Sequence, residues 1–281
     1  MNRARRRWLH AGGAWWLLGG CAGIADAPAA WEARLTGDTL ALLGEVHDNA
    51  EAHRRRAASL RRALAAGWRP ALVMEQLDAD RQADIERSRR ERPGDAAYLV
   101  GQSSAPRSGW DWPLYTPLIE MALAHDLPLV AGNLPRADVM RLVREPFDAV
   151  LGAERTARLG LDVPMDASWQ AAQEREIDAG HCGTLPSSLW PGMARAQAAR
   201  DAQMADALRR YASRGAVLLA GNGHVRRDLG VPRWLGALAG KALAVGYVES
   251  GNEALIPSQY DAVVVSPAVQ RGDPCEALRR R

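Results

Sequence analysis

The chain has 281 residues and a mass of 30.5 kDa, with 47% hydrophobic and 25% charged residues. Those proportions exclude a disordered or collagen-like chain and leave ample material for a buried core in one large domain or two small ones. The formal charge is +3, from 36 basic against 33 acidic residues, and Lys241 is the single lysine. A basic pI points to nucleic acid or an acidic membrane only where the charges lie on the folded body.

The excess of basic over acidic residues does not lie there. Residues 1–20 contain Arg3, Arg5, Arg6 and Arg7 and no acid, followed by an apolar stretch over 11–20 with Trp15, Trp16, Leu17 and Leu18. A basic region, a short apolar region and then small residues is the layout of a secretory signal, and the stretch is too short to span a bilayer. Leu18-Gly19-Gly20-Cys21 resembles a bacterial lipobox, in which Cys21 is lipidated and becomes the mature N-terminus. Ala22 follows, where Asp would retain a lipoprotein at the inner membrane, so an outer-membrane anchor is expected. Arg5-Arg6-Arg7-Trp8-Leu9 is also similar to a twin-arginine signal, so Sec and Tat export both stay open. When the leader's four arginines leave, 32 basic residues face 33 acidic ones. Nucleic acid is therefore not an expected partner.

Residues 22–37 are small and polar and read as a tether. The apolar run 39–43 reads as a buried strand ending at Gly44, followed by a helix over 50–66 that closes at Gly67. A second strand is expected at 71–74 and a helix at 79–90. Residues 93–109, rich in Pro, Gly and Ser, read as a loop. A helix over 114–126, a strand at 127–131 and a helix at 136–144 follow. Strand signals then vanish over 146–192, which reads as a helical insertion. A long helix is expected over 193–213, with strands at 216–220, 243–248 and 262–265 and a basic tail at 271–281. Strands alternating with helices predict an α/β fold, a mostly parallel sheet sandwiched by helices over 38–270. Cys182 and Cys275 would remain after processing, and their spacing leaves open whether they pair in an oxidising compartment. Without a CxxC or CxxCH, neither a zinc ribbon, a thioredoxin site nor covalent haem attachment is indicated.

Ligands of open parallel sheets bind beyond the carboxyl ends of the strands. The first strand delivers Gly44-Glu45-Val46-His47-Asp48-Asn49 and the second Glu75-Gln76. The third delivers Gly132-Asn133 with Arg136 close behind, and the strand at 216–220 delivers Gly221-Asn222-Gly223-His224. Two of these ends share the pattern Gly-x-x-His. Glu45, His47, Glu75 and His224 could hold a divalent metal with an open position, act as acid and base without one, or line a ligand pocket. Asp48 and Asn49 are candidate N-caps. His53 reads as a solvated helix residue and His125 as a favourable charge at a helix C-terminus. An adjacent His181-Cys182 pair is a poor nucleophilic dyad, and no G-x-S-x-G elbow, P-loop or Rossmann fingerprint is present.

Leu43-Gly44-Glu45-Val46-His47-Asp48-Asn49, with Glu75 after the second strand, resembles the ChaN-like family of haem-binding lipoproteins. Trp112-Pro113-Leu114-Tyr115, residues 131–136, residues 196–205 and residues 221–228 are similar to that family's later segments, in the same order. The wider group includes the Tiki, TraB and erythromycin-esterase proteins, which share the two Gly-x-x-His strand ends. The resemblance implies a periplasmic or outer-membrane haem-binding lipoprotein for haem and iron uptake. It implies non-covalent haem, a site between two subunits of a homodimer, and an unidentified uptake receptor. The alternative it carries is a metal-dependent hydrolase or protease using Glu45, His47, Glu75 and His224. Ferric haem takes a Tyr oxygen or an imidazole as axial ligand. Tyr115, beside Trp110 and Trp112, is the first candidate, with a core tyrosine as the other reading. His181 is the second, and His47, His224, Asn133 and Arg136 complete the expected haem-binding set.

Overall fold

The computed structural model describes residues 29–105, 109–251, 258–273 and 275–276. The signal region and Cys21 lie outside the described residues. Residues Leu40–Leu43 form β1, and all four are fully buried. Successive strand side chains point to opposite faces, so a run buried at every position needs cover on both. Ala41 and Leu43 pack into one core, and Leu40 and Leu42 into another.

The chain continues through α1 (Ala50–Ala65), β2 (Ala71–Asp78), α2 (Gln82–Glu91), α3 (Ala96–Ser103), α4 (Trp112–Ala124), β3 (Leu129–Asn133) and α5 (Arg136–Leu142). Then come α6 (Phe147–Leu151), α7 (Ala153–Leu159), α8 (Ala167–Gly180), α9 (Trp190–Arg209), β4 (Ala216–Leu219), α10 (Asn222–Val225), β5 (Ala242–Glu249) and β6 (Ala262–Ser266). The strand order is β3-β2-β4-β1-β5-β6, and every pairing is parallel. The α/β class is as expected. From β1 the chain crosses towards β2, and from β4 it crosses the other way to β5. The crevice between the ends of β1 and β4 is therefore a topological switch point, where open α/β sheets bind ligands.

Cover on the first face comes from α1 and α4, with Leu60, Leu64, Tyr115, Leu118 and Ile119 against the strands. The second face is covered by α9, whose Met204, Ala205, Ala207 and Leu208 meet β1 and β4. The far side of α9, with Ala196, Ala199 and Ala202, packs on a third core that includes Leu142, Leu159 and Trp169 of α5, α7 and α8. Small residues let α9 lie between two layers, which is why its apolar residues surround it rather than form a stripe.

Four expectations change. Residues 96–103 form a helix, not part of a loop. Asp95 caps it by accepting from the Tyr98 N–H at 2.8 Å, and the flanking Pro-Gly and Ser-Ala-Pro steps obscured an eight-residue helical stretch. Second, β2 runs on to Asp78, with a register shift against β3 between Met74 and Asp78, so Glu75 and Gln76 lie within the strand and face opposite sides. Third, the second half of the expected tether packs on α1: Leu35 is buried, and Glu32 accepts from Arg62 and Ser59. At the other end Arg271 is not a free tail residue but pairs with Asp48 and Glu249. Cys182 and Cys275 form a disulfide.

Candidate functional site

The β1 end turns sharply at Gly44. A Cβ there would sit 2.1 Å from Asn222 Oδ1, and that oxygen accepts from the Tyr247 N–H while Asn222 Nδ2 donates to the Tyr247 carbonyl. The bare glycine thus lets the β4 loop reach β5 across β1. Glu45 then points inward, 3% exposed. Its Oε1 accepts from His47 Nδ1 at 2.7 Å, Tyr115 OH at 2.6 Å and Gln76 Nε2 at 3.1 Å, and its Oε2 accepts from Arg56. Burial alone would push this carboxyl up. The Arg56 guanidinium beside it, with the His47 and Tyr115 bonds, holds it down at about 2. Burial and then the Glu45 charge push the Tyr115 phenol far above its ordinary range.

His53 is 3% exposed, which corrects its reading as a solvated helix residue. Helical spacing places His53 and Arg56 on the inward face of α1. Arg56 Nη2 donates to His53 Nδ1 at 3.0 Å, and His53 Nε2 donates to the His47 carbonyl at 3.1 Å. Burial and then the Arg56 charge lower the His53 pKa to about 4, so the ring is neutral with its proton on Nε2. The ring in turn holds the His47 loop by its backbone.

His47 is the exposed member, with 52% of its side chain open to solvent. Its ring packs edge-on against Trp110 at 5.0 Å. Burial would lower its pKa, but the bond and charge of Glu45, with the charge of Glu75, raise it. Nδ1–H is spent on Glu45, and Nε2 has no bonded partner among the described residues.

The β4 end builds the second half. Gly221 N–H donates to Glu75 Oε2 at 2.7 Å. A Cβ on Gly221 would lie 3.1 Å from the His47 ring, so glycine is what lets the two loops meet. His224 Nδ1 donates to Asp201 Oδ1 at 2.6 Å, with Nε2 3.4 Å from Glu75 Oε1. Burial would lower the His224 pKa, but Glu75 and Asp201 raise it to about 9, making it an imidazolium between two carboxylates. Burial raises Asp201 despite His224, and the charges of His224 and Arg200 overcome burial to lower Glu75. Arg200 also binds Asn133 Oδ1 at 3.1 Å and Gln197 Oε1 at 2.8 Å.

The structure therefore brings Glu45, His47, Glu75 and His224 to one crevice, as two imidazole–carboxylate pairs that meet at Gly221. Tyr115 joins them from below, fully buried and donating to Glu45, the arrangement of a core tyrosine. Asn133 touches the group only through Arg200. Arg136 opens α5 and is exposed, and His181 caps the end of α8 with Nδ1 on the Ile177 carbonyl. Neither makes a described contact with the pairs. The reading of motifs missed Arg56, which carries no distinguishing pattern, named Gln76 at a strand end without a role, and assigned no role to Asp201 and Arg200. Those two had a signal: they are a charged pair in the middle of the alanine-rich stretch that becomes α9.

The expected divalent-metal set does not fit. No group of three His, Cys, Asp or Glu among the described residues is disposed to hold an ion. The physical reason is that the oxygens of Glu45 and Glu75 are already spent on Arg56, Arg200, Tyr115 and the Gly221 N–H. One imidazole nitrogen, His47 Nε2, by contrast has no bonded partner among the described residues, and a single imidazole nitrogen could hold a haem iron.

Among solved structures, the fold is similar to that titled cofacial heme binding to ChaN of Campylobacter jejuni, with a TM-score of 0.61 at 18% identity over 77% of this chain and 84% of that one. A mutant of the erythromycin esterase EreC, H289N in its open conformation, is similar at a TM-score of 0.44 and 17% identity, over 87% of this chain and 80% of that one. No curated protein matches the chain in sequence. Residues 31–235 match the family model described as haem-binding uptake, Tiki superfamily, ChaN, and the chain belongs to that family.

Proposed function

We propose that this chain binds haem non-covalently at the β1–β4 crevice, where His47 Nε2 would hold the iron. One observation carries the reading. His47 presents a half-exposed Nε2 with no bonded partner among the described residues, while its Nδ1–H is held by a buried carboxylate. A ligating histidine is commonly held this way, because the bond to the second nitrogen sets the tautomer and raises the basicity of the first. Haem would supply a ferric iron that takes a nitrogen ligand. The chain supplies an oriented imidazole, an indole edge at Trp110, and a loop held in place by His53. Tyr115 would have to surrender its bond to Glu45 to serve instead, and His224 is spent on Asp201 and Glu75.

The cellular setting is part of the proposal: a lipoprotein anchored through Cys21, in the outer membrane, serving haem and iron uptake, with a second copy completing the haem site. The Cys182–Cys275 disulfide supports an oxidising compartment. Hemin titration of residues 22–281 tests the binding, and a saturable Soret shift that His47→Ala abolishes is the expected result. A titration without saturation sinks the reading. A hydrolase reading keeps one foothold, since a histidine oriented by a carboxylate is also the geometry of a general base. Turnover of an activated ester by a chain that ignores hemin would favour it.

A further inference from the structure

The amino ends of the strands form the edge of the sheet opposite the β1–β4 crevice. Trp68 lies just ahead of β2, and its Nε1 donates at 3.0 Å to the Gly37 carbonyl, ahead of β1. Arg69 Nη1 donates to the Leu64 and Trp68 carbonyls at 2.7 and 2.9 Å, and Arg214 donates to the Arg69 carbonyl from Nε at 3.1 Å and from Nη2 at 2.9 Å. Two guanidiniums are thus gathered on neighbouring carbonyls. Both residues are exposed, and neither has a carboxylate partner among the described residues. Three acids of this edge are spent on other cations: Asp38 on Lys241, Glu32 on Arg62 and Asp126 on Arg89. Together with Gly37 and Trp68, the two arginines line a cavity of about 450 Å³. A groove of about 560 Å³ adjoins it, sharing Ala66 and Trp68, and presents the apolar Ala30, Ala33, Leu35 and Ala63. Ala29, through which the chain arrives from Cys21, lines the same groove.

We propose that this edge docks on an anionic phospholipid surface, with a lipid phosphate at Arg69 and Arg214 and the upper part of an acyl chain in the adjoining groove. The chemistry matches in both parts, since guanidiniums bind phosphate oxygens through charged hydrogen bonds and an apolar channel takes hydrocarbon. Position supplies a second argument. Ala29 is eight residues after Cys21, a stretch that reaches no further than about 28 Å. A lipid at Cys21 therefore keeps this edge close to a bilayer, at an effective concentration on the order of millimolar. Each guanidinium near an anionic surface contributes about fivefold in affinity. That is too little to bind a free protein tightly and enough to orient a tethered one. Docking in this way turns the carboxyl edge, and His47 with it, towards the aqueous side. The tether part of the argument rests on the lipid-anchor reading above; the docking surface does not.

Two measurements test it. The first places the full chain, purified from membranes, in nanodiscs of phosphatidylcholine alone or of phosphatidylcholine and phosphatidylglycerol in equal parts. Amides at 66–69 and 213–215 should exchange about fivefold more slowly in the anionic discs, while those at 46–48 exchange equally in both. The second sediments residues 22–281, without lipid, with vesicles of the same two compositions. Only the anionic vesicles should bind the chain, and raised salt should release it. Arg69→Gln/Arg214→Gln should weaken that binding about 25-fold, and Arg69→Lys/Arg214→Lys, which keeps the charge, should retain most of it. Equal exchange in the two discs, protection of 46–48 instead, or vesicle binding that survives the glutamine variant overturns the docking surface. Inorganic phosphate that protects the same amides equally well in the neutral discs makes the pair a phosphate site and overturns the lipid. A chain recovered wholly from the soluble fraction defeats the lipid anchor, and sedimentation then decides the surface by itself.

Discussion

At the scale of single residues, the site is two buried charge networks with one accessible group. Arg56 is fully buried and its Nη1 sits on Glu45, so its loss strands a carboxylate. Arg56→Met is expected to cost about 3–5 kcal/mol in urea unfolding, and adding Glu45→Gln should restore part of that, because a neutral amide needs no counter-charge. A simple sum of the two single effects would refute the coupling. Titration has a direction on each side. His224 has a folded pKa near 9, above its unfolded value, so its contribution is full below about 6.5 and is lost as pH rises through 9. His53 is held near 4 and Glu45 near 2, both below their unfolded values, so their contributions are lost as pH falls through those points. Stability should therefore peak close to pH 6.5. Between pH 7 and 9 the wild type should lose about 1–3 kcal/mol, a slope that His224→Gln should flatten. Equal slopes in the two proteins would remove His224 as the cause. The tyrosine can be tested in the same way: Tyr115→Phe should leave the spectrum of bound hemin unchanged if His47 is the ligand, whereas loss of a charge-transfer band would transfer the assignment to Tyr115.

At the scale of elements, two helix caps separate local from tertiary work. Asp95 caps α3 with one bond to a backbone N–H, and Asp95→Ala should cost about 1 kcal/mol. Asn49 caps α1 in the same manner, but its Nδ2 also reaches Glu249 at 2.7 Å and the Pro267 carbonyl. Asn49→Ala should accordingly cost about 2–3 kcal/mol, because a buried partner loses its donor as well. Similar thermal shifts for the two variants would show that the tertiary bonds add nothing. The caps also show what was legible locally. Asn49 and Asp48 were readable as cap candidates from their place before a helical run. Asp95 was passed over because Pro93-Gly94 and Ser104-Ala105-Pro106 frame only a short helix, and short helices owe their existence to packing, here Leu99 in the core of the first face. The extension of β2 was equally illegible: Glu75 and Gln76 look like the start of a loop, and only the partners waiting on each side, Gly221 and Glu45, keep them in a strand.

At the scale of the whole molecule, the disulfide joins residues 93 apart and so ties the C-terminal segment to the helical insertion. Its removal should lower stability by roughly 2–4 kcal/mol, read from unfolding of the Cys182→Ser/Cys275→Ser variant at matched pH. An unchanged midpoint would mean that the ion pairs of Arg271 alone define the segment. The amino-acid sequence by itself determined the α/β class, the apolar strands and the presence of Gly-x-x-His after two of them. These follow from properties read over a few residues: unbroken apolar runs that need cover on both faces, and turns that only glycine permits. Tertiary structure alone decided which carboxylate each histidine serves, that His53 and Tyr115 are buried, that Arg56 and Asp201 belong to the site, and that Cys182 meets Cys275. The reason is the strand order. β1 lies between β4 and β5, strands far away along the chain, so the groups that face Glu45 and His47 arrive from α1, α4, β2 and β4 by way of crossovers. A local pattern carries no record of which distant segment will stand beside it, and the protonation and accessibility of a buried group depend on that neighbour.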